Sequence, residues 1–153
     1  MPFALSSPAL KANERMPEQY SCDGADISPP LEFIDPPPGT RSFAIICVDP
    51  DAPNGPFYHW GVFDIPGDAT GLREQFLRTE RGASHQAIND FEAKGYGGPC
   101  PPKGGGEHHY RFRLYALKVE SLPVREPISC RDLEKLAEEH CLAATDLICT
   151  YSR

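Results

Sequence analysis

The chain has 153 residues, a net charge of −7 and a pI near 5.2. That length suits one domain, 1–153, with a sizeable core, and the acidic field repels phosphate polymers and anionic lipid surfaces, so neither nucleic acid nor membrane insertion is expected. The opening "MPFALSSPALKANERMPEQY" lacks the basic and apolar regions of a leader, and no later stretch approaches the roughly 20 apolar residues of a spanning helix, which reads as a soluble cytoplasmic protein.

Six cysteines, at 22, 47, 100, 130, 141 and 149, fall at none of the close spacings of a redox pair or a zinc knuckle, and read as free thiols. Cys130 and Cys141 could share a helix face but would lie too far apart to bridge. Seventeen prolines place much of the chain in turns and loops.

In chain order, "PFAL" near the start and "LEFI" at 31–34 are short strand candidates bounded by turn residues. "SFAIICV" (42–48) is apolar on both alternating faces, as expected of a central strand covered on both sides. "HWGVFDI" (59–65) alternates, with His59, Gly61, Phe63 and Ile65 predicted on one face and Trp60, Val62 and Asp64 on the other. The glycine-rich region 66–107 reads as a long, ligand-shaping loop. "HYRFRLYALKV" (109–119) alternates with Tyr110, Phe112, Leu114 and Ala116 inward. "SCRDLEKLAEEHCLAA" (129–144) predicts a helix capped by Ser129, with Leu133, Leu136, Ala137 and His140 along one side, and "LICTY" (147–151) predicts a last strand. Short strands separated by turn residues and one late helix indicate a mainly β fold, an antiparallel β-sandwich with a few peripheral helices.

If 42–48 and 59–65 pair antiparallel, Asp49 and His59 meet at one sheet edge, and a third strand running alongside brings His108 and Tyr110 there on a shared face. His109 then points the other way, so the adjacent histidines are not a ligand pair; a zinc site would need His59, His108 and Asp49 together. The more natural use is recognition of a small oxyanion. Asp49 orients a histidine and raises its pKa, Tyr110 adds a hydroxyl donor, the backbone N–H groups of Gly104, Gly105 and Gly106 form a concavity, and Phe57, Tyr58 and Trp60 exclude water. Each element also has a plainer reading: Asp49 as an end-of-strand turn residue, His59 as a satisfied core histidine, Tyr110 as a packing residue and the glycines as a flexible connection.

With those residues laid out, the chain resembles the phosphatidylethanolamine-binding protein family, also called Raf-kinase-inhibitor-like proteins, in its bacterial and archaeal branch. The matching stretches are "DGADISPPLEF", "SFAIICVDPDAP", "FYHWGVFDIP", "GYGGPCPPKGGGEHHYRFRLYAL" and "CTYSR". The resemblance implies a Greek-key β-sandwich with a small anion pocket at one end, formed by Asp49, His59, Pro102, His108 and Tyr110 and flanked by Ala52, Phe57, Gly98 and Cys100. His109 stands where the family usually has arginine, and no counterpart of the animal members' covering helix follows "CTYSR", which implies a more open pocket or one covered by a second subunit of a homodimer. The implied function is non-enzymatic binding of a phosphate-type anion, a phospholipid head group or a phosphorylated ligand, with modulation of a kinase as the role the animal members suggest; no cofactor and no metal are expected. Two alternatives stand beside it. One is a hydrolase or metal-assisted enzyme using His59 with Asp49, in which Cys100 is the only candidate nucleophile and has no evident basic partner. The other is an interaction module with a vestigial pocket.

Overall fold

A computed structural model describes residues 2–76 and 85–153. Its organising strand is β3 (Ser42–Asp49), every residue of which is buried. Phe43, Ile45 and Cys47 enter the core between the two sheets, while Ala44, Ile46 and Val48 enter a second apolar layer on the opposite face. This two-sided burial is why the stretch is an uninterrupted apolar run.

β3 is flanked by β4 (Phe57–Pro66) and β7 (His108–Leu117), both antiparallel to it, so β4 and β7 start at the end of the sheet where β3 stops. β8 (Cys141–Tyr151) extends the sheet beyond β7, and β6 (His85–Gln86) closes the other edge, giving the order β6-β4-β3-β7-β8. A smaller antiparallel sheet, β1 (Ala4–Ser6), β2 (Leu31–Ile34) and β5 (Gly71–Leu72), has the order β1-β2-β5. Phe33 of β2 meets Phe43 of β3 with ring centroids 4.8 Å apart, joining the layers.

The opposite face of the larger sheet is covered by α1 (Cys130–His140), whose Ser129 cap accepts a hydrogen bond from the Asp132 N–H at 3.1 Å. Leu133 and Ala137 are fully buried, as their spacing predicted, and Gly61 of β4 lets the helix lie close: a β-carbon there would stand 3.0 Å from both Cys130 Sγ and Leu133 Cδ2. The helix ends four residues earlier than the sequence pattern suggested. Cys141 turns to extended geometry, and the chain enters β8 directly, because Ala143 and Ala144 pair with Ala116 and Tyr115 of β7. Backbone pairing along a neighbouring strand outweighs the modest helix preference of alanine.

β4 also departs from simple alternation. Val48 pairs with Tyr58 and Cys47 with Trp60, so His59 is an extra residue in the strand, a β-bulge. A second irregularity falls beside Asp64, which has a positive φ of 57°. Trp60 and Val62 share the inner core and Gly61 and Phe63 face the helix layer, as the alternation predicted, whereas Ile65, beyond the second irregularity, joins the inner core instead of the side of Gly61 and Phe63.

Candidate functional site

Where β3 ends and β4 and β7 begin, a recess of about 160 Å³ opens. Asp49, His59, His108 and Tyr110 line it, with exposures of 3, 4, 6 and 1 %. Ala52 contributes from the connection between β3 and β4, Phe57 from the start of β4, and Cys100 and Pro102 from the loop before β7, so these residues lie together as the sequence suggested. Gly98 does not line the recess. Its N–H donates to Asp26 Oδ1 at 2.7 Å, and a β-carbon there would collide with the Tyr20 carbonyl oxygen. It anchors the loop from behind.

Asp49 uses both carboxylate oxygens. Oδ1 accepts from the Asp51 N–H at 2.8 Å, the turn role of an aspartate at a strand end, and Oδ2 accepts from His108 Nδ1 at 2.7 Å. A carboxylate partner fixes the proton on His108 Nδ1, which leaves Nε2 as the nitrogen with free capacity. Asp49 therefore both holds the turn after β3 and lines the recess. The orienting contact expected between Asp49 and His59 is not made: Asp49 lies opposite Phe57 in the ladder, and the histidine it grips comes from β7.

His59 is held instead by the backbone. Its Nδ1 donates to the Gly97 carbonyl at 2.6 Å, and the Gly97 N–H donates back to the His59 carbonyl at 3.0 Å. Since a carbonyl only accepts, this bond also fixes the proton on Nδ1 and leaves Nε2 available. Burial lowers the His59 pKa below its usual 6.5; the Gly97 bond and the Asp49 charge oppose that shift without cancelling it. Asp49 thus acts on this pKa in the upward direction expected of a neighbouring carboxylate, but desolvation outweighs it. The bulge lets β4 present His59 beside Tyr110, ring centroids 5.3 Å apart, while Trp60 still reaches the core. The Tyr110 hydroxyl has no hydrogen-bond partner among the described residues, and burial followed by the nearby Asp49 charge pushes its pKa up.

Several other expectations change. Tyr58 faces the helix layer, where its hydroxyl donates to Glu134, and the Trp60 indole donates to Gln86, so Phe57 is the one member of that aromatic trio in the recess wall. The Gly104 and Gly105 N–H groups are spent on the Arg153 and Pro102 carbonyls, and Gly104, Gly105 and Gly106 do not line the recess; no anion-binding concavity forms there. Exposed His109 faces away, with its ring and its backbone N–H on Asp51 Oδ2 at 2.8 and 2.9 Å, bonds that lower the Asp51 pKa. The reading of six free thiols is corrected: Cys22 and Cys100, 78 residues apart, form a disulfide, leaving Cys47, Cys130, Cys141 and Cys149 free. Burial raises the pKa of Cys47, Cys130 and Cys149, which keeps those thiols unreactive.

Three features were not assigned to the site from the sequence. Pro53 and Pro101 complete the walls. Phe91, 45 % exposed, sits edge-on to Phe57 and His59 at 4.7 and 5.4 Å; its turn is built by buried Asn89, whose Oδ1 accepts from the Phe91 N–H at 2.9 Å. Arg153 brings Nη1 to 3.0 Å from Cys100 Sγ. Pro53, Pro101 and Arg153 had a sequence signal, lying within "SFAIICVDPDAP", "GYGGPCPPKGGGEHHYRFRLYAL" and "CTYSR"; Phe91 had none. Among the described residues, no group of three or more histidine, cysteine or acidic side chains is placed to hold a metal ion, and no helix is long and apolar enough to cross a membrane.

Two antiparallel sheets and a recess at the ends of three strands mark a known class of β-rich binding fold. The chain belongs to the phosphatidylethanolamine-binding protein family, whose profile matches residues 6–152. A UPF0098 protein of Aquifex aeolicus is 46 % identical over 96 % of this chain and 86 % of its own length. The crystal structure of Escherichia coli YbcL, described as a new member of the mammalian PEBP family, superposes with a TM-score of 0.91 at 33 % identity, over 99 % of this chain and 98 % of that one. A putative phosphatidylethanolamine-binding protein homolog from Chlamydia trachomatis gives a TM-score of 0.87 at 33 % identity, over 99 % and 97 %.

Proposed function

We propose that the recess binds a small phosphate-type anion, as a free ligand, a lipid head group or a phosphorylated side chain, without transforming it. The observation that carries this reading is the pair of buried imidazoles, each tethered through Nδ1, His108 to Asp49 at 2.7 Å and His59 to Gly97 at 2.6 Å. Tethering sets the ring orientation and leaves both Nε2 atoms and the Tyr110 hydroxyl for a ligand. Protonated on Nε2, the histidines become donors. The Asp49–His108 pair is then neutral, so His59 supplies the net positive charge that attracts the anion. Phe57, Phe91 and the prolines keep bulk water away and strengthen each bond.

The hydrolase alternative has less support. Asp49 does not orient His59, and Cys100 is tied to Cys22 rather than free as a nucleophile. The pure interaction-module alternative is separated by Asp49→Ala, which abolishes partner binding only if the recess is used. A role in modulating a kinase would have the recess take a phosphorylated residue of the partner.

The direct test is titration with inorganic phosphate, followed by the side-chain NMR signals of His59, His108 and Tyr110. Shifts saturating in the millimolar range or below support the proposal; signals unmoved at that concentration rule it out. Screens with phosphoethanolamine and a phosphopeptide then rank the sources of the anion, and esterase and phosphatase assays test for turnover. If a second copy covers the recess, sedimentation gives a dimer.

A further inference from the structure

We infer that the Cys22–Cys100 disulfide is redox-active and acts as a latch on the recess, opened by a thiol reductant. Its effect on binding rests on the anion reading above; its redox chemistry does not.

Three observations carry the inference. Cys100 is exposed and is itself part of the recess wall. Its sulfur is therefore open to attack from solvent, unlike the free thiols of Cys47, Cys130 and Cys149, which are buried. Arg153 then stands over both sulfurs, with Nη1 3.0 Å from Cys100 Sγ and 3.5 Å from Cys22 Sγ. A guanidinium at that distance stabilises whichever thiolate leaves, and a better leaving thiolate speeds exchange. Finally, the bond ties two loops whose other links are few beyond Cys100. Before it, the Cys22 N–H donates to the Pro99 carbonyl at 3.0 Å and Gly98 is held by Asp26. After it, the Pro101–Pro102 wall is secured across the gap by Arg153, through the Gly104 N–H to the Arg153 carbonyl at 2.9 Å and Arg153 Nη1 to the Pro101 carbonyl at 3.5 Å.

The chemistry balances with a small thiol as co-reactant. A thiolate attacks Cys100 Sγ, forming a mixed disulfide and expelling the Cys22 thiolate beside Arg153. A second thiolate attacks the small-molecule sulfur and releases the Cys100 thiolate. Two thiols are oxidised to one small disulfide, the protein takes the two electrons as a dithiol, and protons lost by the reductant return to the cysteines. His59 keeps its Gly97 tether throughout, so opening loosens one wall while the imidazoles stay in place. In an oxidising compartment the latch is closed and the recess is pre-organised.

The test uses the full 153-residue chain without denaturant. Native protein is equilibrated in glutathione buffers, alkylated and weighed, while Trp60 emission reports folding and isothermal titration measures inorganic phosphate. Cys22 and Cys100 should become alkylated together with Trp60 emission unchanged, and reduction should weaken phosphate about tenfold. Arg153→Ala should slow reduction about fivefold, with Arg153→Lys restoring most of the rate. A bond that yields only when the protein unfolds, a rate indifferent to Arg153, or equal phosphate affinity in both redox states overturns the latch. Failure of the oxidised protein to bind phosphate at all overturns the anion reading instead, and leaves the exchange measurements standing.

Discussion

Asp49 and His108 face each other across the end of the sheet at 2.7 Å, and both are almost wholly buried. The carboxylate's other oxygen holds the Asp51 N–H, so one side chain shapes the loop after β3 and aims a histidine of β7. Asp49→Asn keeps the size but removes the charged acceptor that holds the His108 ring. It should weaken phosphate binding about tenfold or more and cost about 1–3 kcal/mol of stability, since a charge-assisted bond becomes a neutral one. Isothermal titration and urea unfolding read the two effects separately. Undiminished affinity would remove His108 from the donor set.

Acidification should act on His59. Burial holds its folded pKa below 6.5, so the unfolded chain takes the proton first as the pH falls. The His59 contribution to stability is therefore intact above about 6.5 and is lost between there and the lower folded value. His59→Gln should flatten the stability profile across that window. Phosphate acts in the opposite sense, because the bound anion favours the imidazolium. Binding near neutral pH should take up protons, seen as a dependence of the titration heat on buffer ionisation enthalpy.

Adjacent glycines should respond differently to the same methyl group. At Gly97 an added β-carbon meets the Phe91 ring, an exposed side chain that can swing outward. Gly97→Ala should cost under about 1 kcal/mol while parting Phe91 from Phe57 and His59, with lower phosphate affinity. At Gly98 the methyl meets the Tyr20 carbonyl and the Ser21 α-carbon, backbone that cannot yield without moving the chain that carries Cys22. Gly98→Ala should cost about 3 kcal/mol or more. Thermal unfolding of the two variants checks the contrast.

A substitution on the far side of the sheet should separate stability from binding. Glu134 accepts from the hydroxyls of Tyr58 and Tyr115 at 2.6 and 2.8 Å and pairs with Arg111 at 3.3 Å. Glu134→Leu strands all three donors and should cost about 3–5 kcal/mol. Inorganic phosphate affinity should stay within about twofold of the parent, because the network lies on the helix side of the sheet. A larger loss would show coupling through β4.

The β3 run was legible because burial on both sides leaves no polar position between Phe43 and Val48, and the inward pairing of His108 with Tyr110 followed from strand periodicity alone. The partner of Asp49 was not legible. An antiparallel sketch of two strands puts His59 near it, but the bulge and the third strand decide which ring arrives within bonding distance. The disulfide was hidden for a related reason. Cys22 and Cys100 are joined by two loops meeting, 78 residues apart, and local spacing carries no record of that encounter. Arg153 reaches the same place because β8 returns beside β7, pairing Tyr151 with His108. The end of the helix was misjudged because Ala143 and Ala144 suit a helix in isolation, and neither glycine nor proline marks the stop.

The additional residue in β4 makes strand length a determinant in its own right. Removing position 59 would leave Tyr58 opposite Val48 on the helix side and Trp60 opposite Cys47 in the core, where both already lie, and would take away only the imidazole. The core downstream would not notice, so such a shortened chain could fold well and still be blind to its ligand.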